Sequence, residues 1–459
     1  MSDSAFGGGQ PAPAPGVAAS GPHSPDVATA PAPGVAASGP HSPDALADPA
    51  PGRAASALPA RVRDLALSLP TAQLPAYVYD LGALSAHAAA VRGTLPPRIE
   101  LYYAAKANPE PRILAALAPY TDGFEVSSGG ELAHVAEAVP GRPLAFGGPG
   151  KTPAEIVAAL DRGVRRFHVE STHELRVLAH LAGQRPGAGR APVAVLLRVN
   201  LAVPGGLLAS GALAMGGRPT PFGLDPSDVP AALRMLTDGS CPGVELTGVH
   251  AHLASGLAAP ELAAVAGSVA DWADGLARRH GVRLRELNLG GGMVVDYTRP
   301  DTRFDWAGYA TALARIAAAH PEWVLRVEPG RAMTAYCGWY VTDVLDVKRS
   351  HGEDFAVVRG GTHHLRTPAA RGHDQPCTVL PVADWPHPWP RPTATAPGPV
   401  TFAGQLCTPK DVLARAVPTA QPLRAGDRVL FGLAGAYAWN ISHHDFLMHP
   451  HPTTHVLPG

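Results

Sequence analysis

The chain is poor in cysteine, carries no excess of either charge and lacks a long apolar run. Its four cysteines lie far apart and form no CxxC pair, which disfavours a zinc ribbon or a disulfide-linked secreted domain. The 37 Lys and Arg residues nearly balance the 38 Asp and Glu residues, so no overall field attracts nucleic acid or an anionic membrane. No stretch approaches the roughly 18 apolar residues of a membrane span, and the N-terminal residues lack a signal-peptide pattern. We therefore expect a cytoplasmic protein with reduced thiols and a small-molecule ligand.

The first 57 residues differ from the rest of the chain. They consist almost wholly of Ala, Pro, Gly, Ser and Asp, and the segment PAPGVAASGPHSPD occurs twice, at 13–26 and 31–44. Such a composition offers little apolar surface to offset an ordering cost of about 1–2 kcal/mol per residue. We predict that residues 1–57 form a disordered tail.

From about residue 72 onward, short β-rich runs alternate with Ala- and Leu-rich helical segments. The eight strand candidates are IELYYA (99–104), GFEVSS (123–128), PLAFGG (143–148), RRFHVE (165–170), VAVLLRVN (193–200), VELTGVHAHL (244–253), LRELNLGGG (284–292) and WVLRVEPG (323–330). The helix candidates between them are 110–118, 129–138, 153–162, 172–183, 225–237, 259–280 and 306–319. Eight repeats of strand then helix are typical of a (β/α)8 TIM barrel. Periodicity alone leaves a doubly wound open sheet as the alternative.

After about residue 330 the pattern changes to short strands separated by Gly and Pro, with few helices. Examples are YVTDVLDVKR, DFAVVRGG, CTVLPVA, GPVTFAGQLC and DRVLFGLAGAYA. This pattern predicts a C-terminal β domain of the sandwich or small-barrel type.

Polar residues follow several of the barrel strands, where the C-terminal strand ends of a TIM barrel build its active site. They are Lys106 after the first strand, His250, His252 and Ser255 after the sixth, Gly290, Gly291 and Gly292 after the seventh, and Glu328, Gly330 and Arg331 after the eighth. Each alone has an ordinary explanation, such as a solvated lysine or a tight turn. Together they suit one ligand, because a glycine turn, a serine and an arginine bind phosphate, and a carboxylate can pair with a ring nitrogen. A histidine can stack on that ring and a lysine can form a Schiff base, so the set predicts pyridoxal 5′-phosphate.

Six motifs, in order along the chain, resemble those of one known family. They are YYAAKANP, HAHLASG, LNLGGGMVVDY, VEPGR, GQLCTPKD and GAYAWNISHHDF. They resemble the fold-type III pyridoxal-phosphate decarboxylases, the group of diaminopimelate and eukaryotic-type ornithine decarboxylases. The resemblance implies an alanine racemase-like fold, with a cofactor-binding TIM barrel at 82–330 and a β domain made of 58–81 and 331–459. It also implies a head-to-tail homodimer with active sites at the subunit interface.

The resemblance assigns cofactor-binding roles to individual residues. Lys106 is implied to bond the cofactor aldehyde, His252 to stack on the ring and Glu328 to pair with the pyridine nitrogen. The implied phosphate ligands are Ser255, Gly290, Gly291, Gly292, Gly330 and Arg331, with Tyr437 closing over them. A ring nitrogen kept protonated by Glu328 is a strong electron sink, whereas alanine racemases of this fold type place an arginine there. Glu328 therefore favours decarboxylation over racemisation.

The same resemblance assigns a proton donor and one substrate-binding position. Cys407 matches the cysteine that the partner subunit supplies to protonate the α-carbon, and Asp411 completes its GxxCxxxD frame. Thr408 stands where diaminopimelate and ornithine decarboxylases carry an acid that binds a distant amine. A neutral threonine disfavours basic substrates.

A second position points to the kind of substrate. Arg366 falls at a family arginine, and with His363 and His364 beside it suits a substrate rich in carboxylates.

Further motifs indicate a branch of the family. MGGRPTPFGLD (215–225) and SHHDFLMHPHP (442–452) resemble the siderophore-biosynthesis branch, which includes citryl-diaminopropionate decarboxylase. We expect a decarboxylase that acts on an amino acid or a carboxylate-rich amino-acid conjugate. The alternatives are a diaminopimelate, ornithine or lysine decarboxylase, a racemase, or a non-catalytic regulatory homologue. The C-terminal histidines fit no zinc pattern, and we expect no metal.

Overall fold

The computed structural model describes residues 58–185, 191–202 and 213–459. The predicted disordered tail, 1–57, lies outside the described residues. No helix in the described part combines the length and apolar character needed to cross a bilayer.

Strands and helices alternate through most of the chain. The strands are β1 Ala76–Asp80, β2 Ile99–Ala104, β3 Gly123–Val126, β4 Leu144–Phe146, β5 Arg166–Val169, β6 Val193–Arg198, β7 Leu213–Ala214, β8 Val244–His250, β9 Ala254–Ser255, β10 Glu286–Asn288, β11 Val324–Val327, β12 Gly338–Ser350, β13 Glu353–Val358, β14 Cys377–Leu380, β15 Pro399–Ala403, β16 Val412–Pro418, β17 Arg428–Phe431 and β18 Thr453–Leu457. The helices are α1 Ala60–Ser68, α2 Leu81–Thr94, α3 Pro111–Leu117, α4 Gly129–Ala138, α5 Pro153–Asp161, α6 Thr172–Gly183, α7 Val229–Thr237, α8 Ala259–His280, α9 Trp306–Ala319, α10 Arg331–Thr334 and α11 Thr367–Arg371.

Eight parallel strands close into a barrel in the order β10, β11, β2, β3, β4, β5, β6 and β8. Closure is made where β11 pairs with β2, with Arg326 opposite Glu100, and where β10 pairs with β8. All eight predicted strands and all seven predicted helices are present, and the TIM-barrel prediction is confirmed over the open sheet. The strands are mostly buried because helices cover their outer faces, which is why they read as apolar runs.

Local sequence signals set the helix starts. The Thr152 hydroxyl accepts a hydrogen bond from the Glu155 backbone N–H, and the Glu155 carboxylate accepts one from Thr152, forming a capping box at α5. The Ser171 hydroxyl caps α6 by accepting from the Glu174 N–H. These caps fix where each helix leaves the preceding strand, and so fix the strand ends that form the barrel mouth.

A second sheet of eight strands lies outside the barrel. Its main path is β14, β17, β12, β13, β15 and β16, while β1 pairs with β12 and β18. Tyr77 of β1 lies opposite Tyr340 of β12 in antiparallel register and opposite Thr454 of β18 in parallel register. The expected strand before the barrel therefore exists, whereas β16 and β18 were not predicted. The domain boundaries given above stay a prediction.

A network of buried charges crosses the barrel interior. The fully buried Arg326 donates from Nε to Glu100 at 2.9 Å and from Nη2 to Glu286 at 2.8 Å. Replacing Arg326 by methionine should lower the free energy of unfolding by about 3 kcal/mol, because two carboxylates lose their fully buried cation and keep only the partly exposed Arg166. Arg349→Met removes the exposed pair with Asp354 and should cost less than about 1 kcal/mol. Urea denaturation measures both variants, and equal effects would contradict the prediction.

Candidate active site

Lys106 lies at the barrel mouth, in a single 3₁₀ turn that directly follows β2. Its side chain is half-exposed, and Nζ donates to Glu125 Oε2 at 2.6 Å. Ser127 Oγ lies 3.5 Å from the same nitrogen. The backbone carbonyl of Lys106 accepts from Asn440 Nδ2 at 2.6 Å, so the C-terminal segment holds the turn. The amine is thus presented on a fixed backbone beside a carboxylate.

The ion pair controls the charge of the amine. Burial lowers the pKa of Lys106, but the nearby Glu125 carboxylate outweighs this effect and raises the pKa above its ordinary value. Burial raises the pKa of Glu125, and the Lys106 ammonium outweighs that effect and lowers it. An amine must lose its proton before it attacks an aldehyde, and Glu125 is the group in contact with that proton.

Glu328 is a buried carboxylate in the mouth, one residue past the end of β11. Asn288 Nδ2 donates to its Oε1 at 2.6 Å, and His168 Nε2 and His250 Nε2 lie 3.7 and 3.6 Å from its oxygens. Burial raises the pKa of Glu328 to about 7, with Glu125 adding to the rise and the Asn288 hydrogen bond opposing it. Burial also holds the pKa of His168 and of His250 well below the ordinary value, so both imidazoles are neutral. The carboxylate therefore lacks a cation among its described contacts, and a protonated ring nitrogen would supply one.

His168, His250 and Glu328 place ligand atoms within 4.8 Å of one another, a triplet that the sequence did not reveal. The two imidazole rings pack with centroids 4.2 Å apart and planes inclined by 34°. Both Nε2 atoms lie beside the Glu328 carboxylate, so the three groups form one buried polar cluster at the predicted ring-nitrogen contact.

Glycines 290–292 form a turn that only small residues permit. Gly290 and Gly292 have φ of +66° and +104°, in the left-handed region. A Cβ at Gly290 would lie 2.7 Å from His252, and a Cβ at Gly291 would lie 2.5 Å from the Glu328 carbonyl oxygen. The turn therefore brings the backbone against both predicted ring contacts.

The glycine turn also fixes His252. The Gly291 N–H donates to His252 Nδ1 at 3.1 Å, and Ser255 Oγ lies 3.4 Å from Nε2. Burial lowers the pKa of His252 to about 3, and the charges of Arg198 and Lys106 add to the effect. A neutral imidazole held at both nitrogens is suited to stacking on a flat ring.

Gly330, Arg331 and Tyr437 complete the mouth. A Cβ at Gly330 would lie 2.9 Å from Ala107 Cβ and 3.1 Å from Tyr437 Oη. The Arg331 guanidinium lies 4.5 Å from the centre of the Tyr437 ring and donates to Tyr297 Oη at 2.6 Å. The predicted cofactor residues, which are spread over more than 300 positions, are therefore brought together, and they fit pyridoxal 5′-phosphate.

The predicted proton donor lies elsewhere in the same chain. Cys407 is exposed, and the carboxylate of buried Asp411 anchors its loop by accepting from the Thr362 N–H at 2.6 Å and the Leu406 N–H at 2.8 Å. No hydrogen bond or ion pair recorded among the described residues joins Cys407 to Lys106. Both Asp411 oxygens accept hydrogen bonds, one from the Thr362 segment and one within the Cys407 loop, and substrate binding by Asp411 stays a prediction.

In the described part of the chain, no hydrogen bond or ion pair joins the other predicted substrate residues to Lys106. Thr408 is half-buried in the Cys407 loop, and Arg366 is exposed at the start of α11. His363 is fully buried, with neither ring nitrogen paired, and its ring lies 5.1 Å from that of His449. Burial lowers the pKa of His363 to about 4. Substrate binding by these three residues stays a prediction.

Sequence reasoning missed several residues of the mouth. Glu125, Asn288 and His168 were read only as parts of strands, although each is a polar side chain at or near the end of a buried strand. Tyr297 and Arg371, which lie near Arg331, gave no such signal because they are in irregular structure and in a short helix.

Comparison with known proteins shows which family the chain resembles. Residues 81–335 match the family model described as pyridoxal-dependent decarboxylase, pyridoxal binding domain. The chain is 38% identical to a Staphylococcus aureus 2-[(L-alanin-3-ylcarbamoyl)methyl]-2-hydroxybutanedioate decarboxylase, over 82% of this chain and 92% of that protein. It is 30% identical to a Niallia circulans L-glutamyl-[BtrI acyl-carrier protein] decarboxylase, over 83% and 88% of the two chains.

Solved structures share the fold. The structure of Helicobacter pylori diaminopimelate decarboxylase with L-lysine superposes with a TM-score of 0.72 at 22% identity, covering 86% of this chain and 94% of that one. A variant named SrLDC, in complex with PLP, superposes with a TM-score of 0.71 at 25% identity, covering 88% and 96%.

Proposed function

The chain belongs to the pyridoxal-dependent decarboxylases, and from this premise we propose that it removes the α-carboxylate of a citryl-diaminopropionate-like conjugate. The main observation that supports this proposal is the similarity to the Staphylococcus aureus enzyme over most of both chains. The substrate in that enzyme's name is a citrate unit joined through an amide to C3 of alanine. The neutral Thr408 and the exposed Arg366 support a substrate of this kind, because neither would pair with a distant ammonium. A role in siderophore biosynthesis follows from this proposal.

The cofactor site is proposed from the mouth residues. Lys106, His252, Glu328 and Arg331 would hold pyridoxal 5′-phosphate, which supplies an electron sink for the electron pair left when CO2 departs. Glu328 keeps a proton on the ring nitrogen, since the described contacts of the buried carboxylate include two neutral imidazoles and no cation. Glu125 takes the proton that Lys106 Nζ must lose.

A homodimer is proposed because no hydrogen bond or ion pair among the described residues joins the proton donor to the amine within one chain. Cys407 is exposed on a loop anchored by Asp411, whereas Lys106 lies at the barrel mouth. A site completed by the partner's Cys407 would bring a thiol to the α-carbon and deliver the proton there. The cytoplasmic location stays a prediction.

A screen of CO2 release tests the substrate. We expect the citryl conjugate of 2,3-diaminopropionate to exceed free diaminopropionate, diaminopimelate, ornithine and lysine by about 100-fold in kcat/KM. A preference for any free diamino acid would overturn the substrate proposal. Interconversion of enantiomers without CO2 release would instead favour racemisation.

Arg366→Gln tests whether this arginine recognises the carboxylates of the substrate. Its guanidinium can hold a carboxylate through two hydrogen bonds, so the variant should raise KM for the conjugate about 10-fold and leave kcat nearly unchanged. Steady-state kinetics with free diaminopropionate serve as the control, because that substrate lacks the citryl carboxylates. An equal loss for both substrates would contradict a role in reading the citryl unit.

Subunit mixing tests the shared site. Lys106→Ala and Cys407→Ala should each be nearly inactive alone. Mixed in equal amounts under exchange conditions, they should recover about a quarter of the parental activity, because half the dimers are hybrids with one intact site of two. Activity that stays at the level of the separate variants would contradict the shared site, provided that hybrid dimers are seen by native mass spectrometry.

A further inference from the structure

Arg331 and Arg371 lie near the glycine turn, and neither takes part in an ion pair that the described residues show. Arg331 follows β11, and Arg371 is the last residue of α11. Every ion pair recorded among the described residues uses other arginines. Arginines are normally satisfied by carboxylates or by carbonyl groups, so two neighbouring arginines without an ion pair are suited to binding an anion.

The position of Arg371 is set by the turn after Ser255. Arg371 Nη2 lies 4.0 Å from the point where a Cβ of Gly256 would stand. Gly256 itself donates from its N–H to the Gly292 carbonyl oxygen at 2.8 Å, so its turn is joined to the glycine turn. Arg371 therefore lies at the edge of the proposed phosphate cradle, on the side of Ser255.

Tyr297 and His373 link the two arginines. Arg331 donates to Tyr297 Oη at 2.6 Å, and the His373 ring packs on the Tyr297 ring with centroids 4.2 Å apart. His373 is two residues beyond Arg371, so the contact holds the end of α11 against the barrel mouth. The cluster is built from three separate segments of the chain.

The charges of the two arginines act on each other. The Arg371 side chain is partly exposed; its partial desolvation lowers its pKa, and the positive charge of Arg331 lowers it further. Burial lowers the pKa of His373 to about 4, and both arginines add to that effect. Two guanidinium groups held near one another are repulsive until an anion comes between them, so this arrangement favours binding of a doubly charged oxyanion.

We propose that Arg371 is a second arginine ligand of the cofactor phosphate, acting together with Arg331. The inference rests on the proposed function, since it requires pyridoxal 5′-phosphate at the glycine turn. A substrate carboxylate is the other source of an oxyanion, but Arg371 lies next to the Ser255 turn and shows no contact with Lys106 or Glu328 in the described part of the chain. The phosphate is therefore the nearer anion.

The two arginines of α11 serve different ends of the site. Arg366 precedes this five-residue helix. Its charge contributes to lowering the pKa of the His443 imidazole, which indicates that the two residues are near each other. Arg371, at the other end, lies near Arg331. The helix thus connects the proposed substrate-reading position with the cofactor phosphate.

Cofactor affinity of the full-length protein tests the inference. Equilibrium dialysis and the visible absorption band give the dissociation constants of pyridoxal 5′-phosphate and of pyridoxal, which has no phosphate. Arg371→Gln should lower the affinity for pyridoxal 5′-phosphate about 10- to 100-fold and leave the affinity for pyridoxal unchanged. Arg371→Lys should recover part of the lost affinity. The affinity for inorganic phosphate, measured by its competition with the cofactor, should fall by the same factor. Arg349→Gln, an exposed arginine paired with Asp354, is the control and should bind the cofactor as the parent does.

Each other outcome overturns the inference in a distinguishable way. An equal loss of affinity for pyridoxal and its phosphate would show a structural role for Arg371. An unchanged cofactor affinity with a raised KM for the conjugate would assign the guanidinium to the substrate. A parent chain that binds no pyridoxal 5′-phosphate would overturn the proposed function itself, and this inference with it. Since Arg371 is exposed, circular dichroism should show that both variants keep the fold.

Discussion

Replacing Lys106 by alanine should remove the yellow colour of the purified protein and lower decarboxylation by about 10³-fold or more. The amine is the group proposed to bond the cofactor aldehyde. The sequence contains only Lys106, Lys151, Lys348 and Lys410, so the covalent site can be mapped without ambiguity. Lys151 is buried and paired with Glu174, which leaves it no access to an aldehyde. Borohydride reduction followed by peptide mass mapping measures the outcome.

The matched control is Lys348→Ala, because Lys348 is exposed at the end of β12. This variant should stay coloured and active. A reduced label on any lysine other than Lys106, or a coloured Lys106→Ala protein with full activity, would falsify the assignment. Loss of colour in both variants would indicate a folding defect, which thermal denaturation monitored by circular dichroism would detect.

The barrel could be predicted from the sequence because its strands are buried on both faces. Parallel strands covered by helices read as short apolar runs, and caps such as Thr152 mark the helices between them. β16 and β18 could not be predicted in this way. β18 is five residues long, and it pairs with β1, which lies more than 370 positions earlier, so only the tertiary structure reveals it. α2 was also missed, since it precedes the first repeat.

The cofactor residues were identified by their chemistry, but their partners depend on register. Glu125 reaches Lys106 because Ala104 and Glu125 are paired neighbours in β2 and β3. Nothing in the spacing of 19 residues shows this contact. Likewise, sequence reasoning selected Arg366 as the arginine of its segment, and only the fold shows that Arg371 lies next to the Gly256 turn. Sequence therefore indicates which groups are present, and the closed barrel decides which of them meet.

Glu328→Gln should keep the yellow colour and slow decarboxylation by about 10²- to 10³-fold. Lys106 is unchanged in this variant, so the covalent link forms. A neutral amide cannot hold the ring nitrogen protonated, so the electron sink is weaker. The replacement is nearly isosteric, and Asn288 can still donate to the remaining carbonyl oxygen. Single-turnover kinetics with the preferred substrate measure the chemical step, and Glu353→Gln, at an exposed strand end, is the control.

The pH dependence of stability gives a second readout that involves no cofactor. Burial raises the pKa of Glu328 to about 7 in the folded chain, above the ordinary carboxyl range of the unfolded chain. The folded state therefore binds more protons between those two pKa values, and this carboxyl makes the protein less stable as the pH rises through that window. Glu328→Gln should reduce this loss of stability with rising pH. The melting temperature of the variant, relative to that of the parent, should therefore rise as the pH increases to about 7. A pH profile identical to that of the parent would show that Glu328 is already solvated and ionised. Glu328 would then not be the buried carboxylate that is proposed to pair with the protonated ring nitrogen.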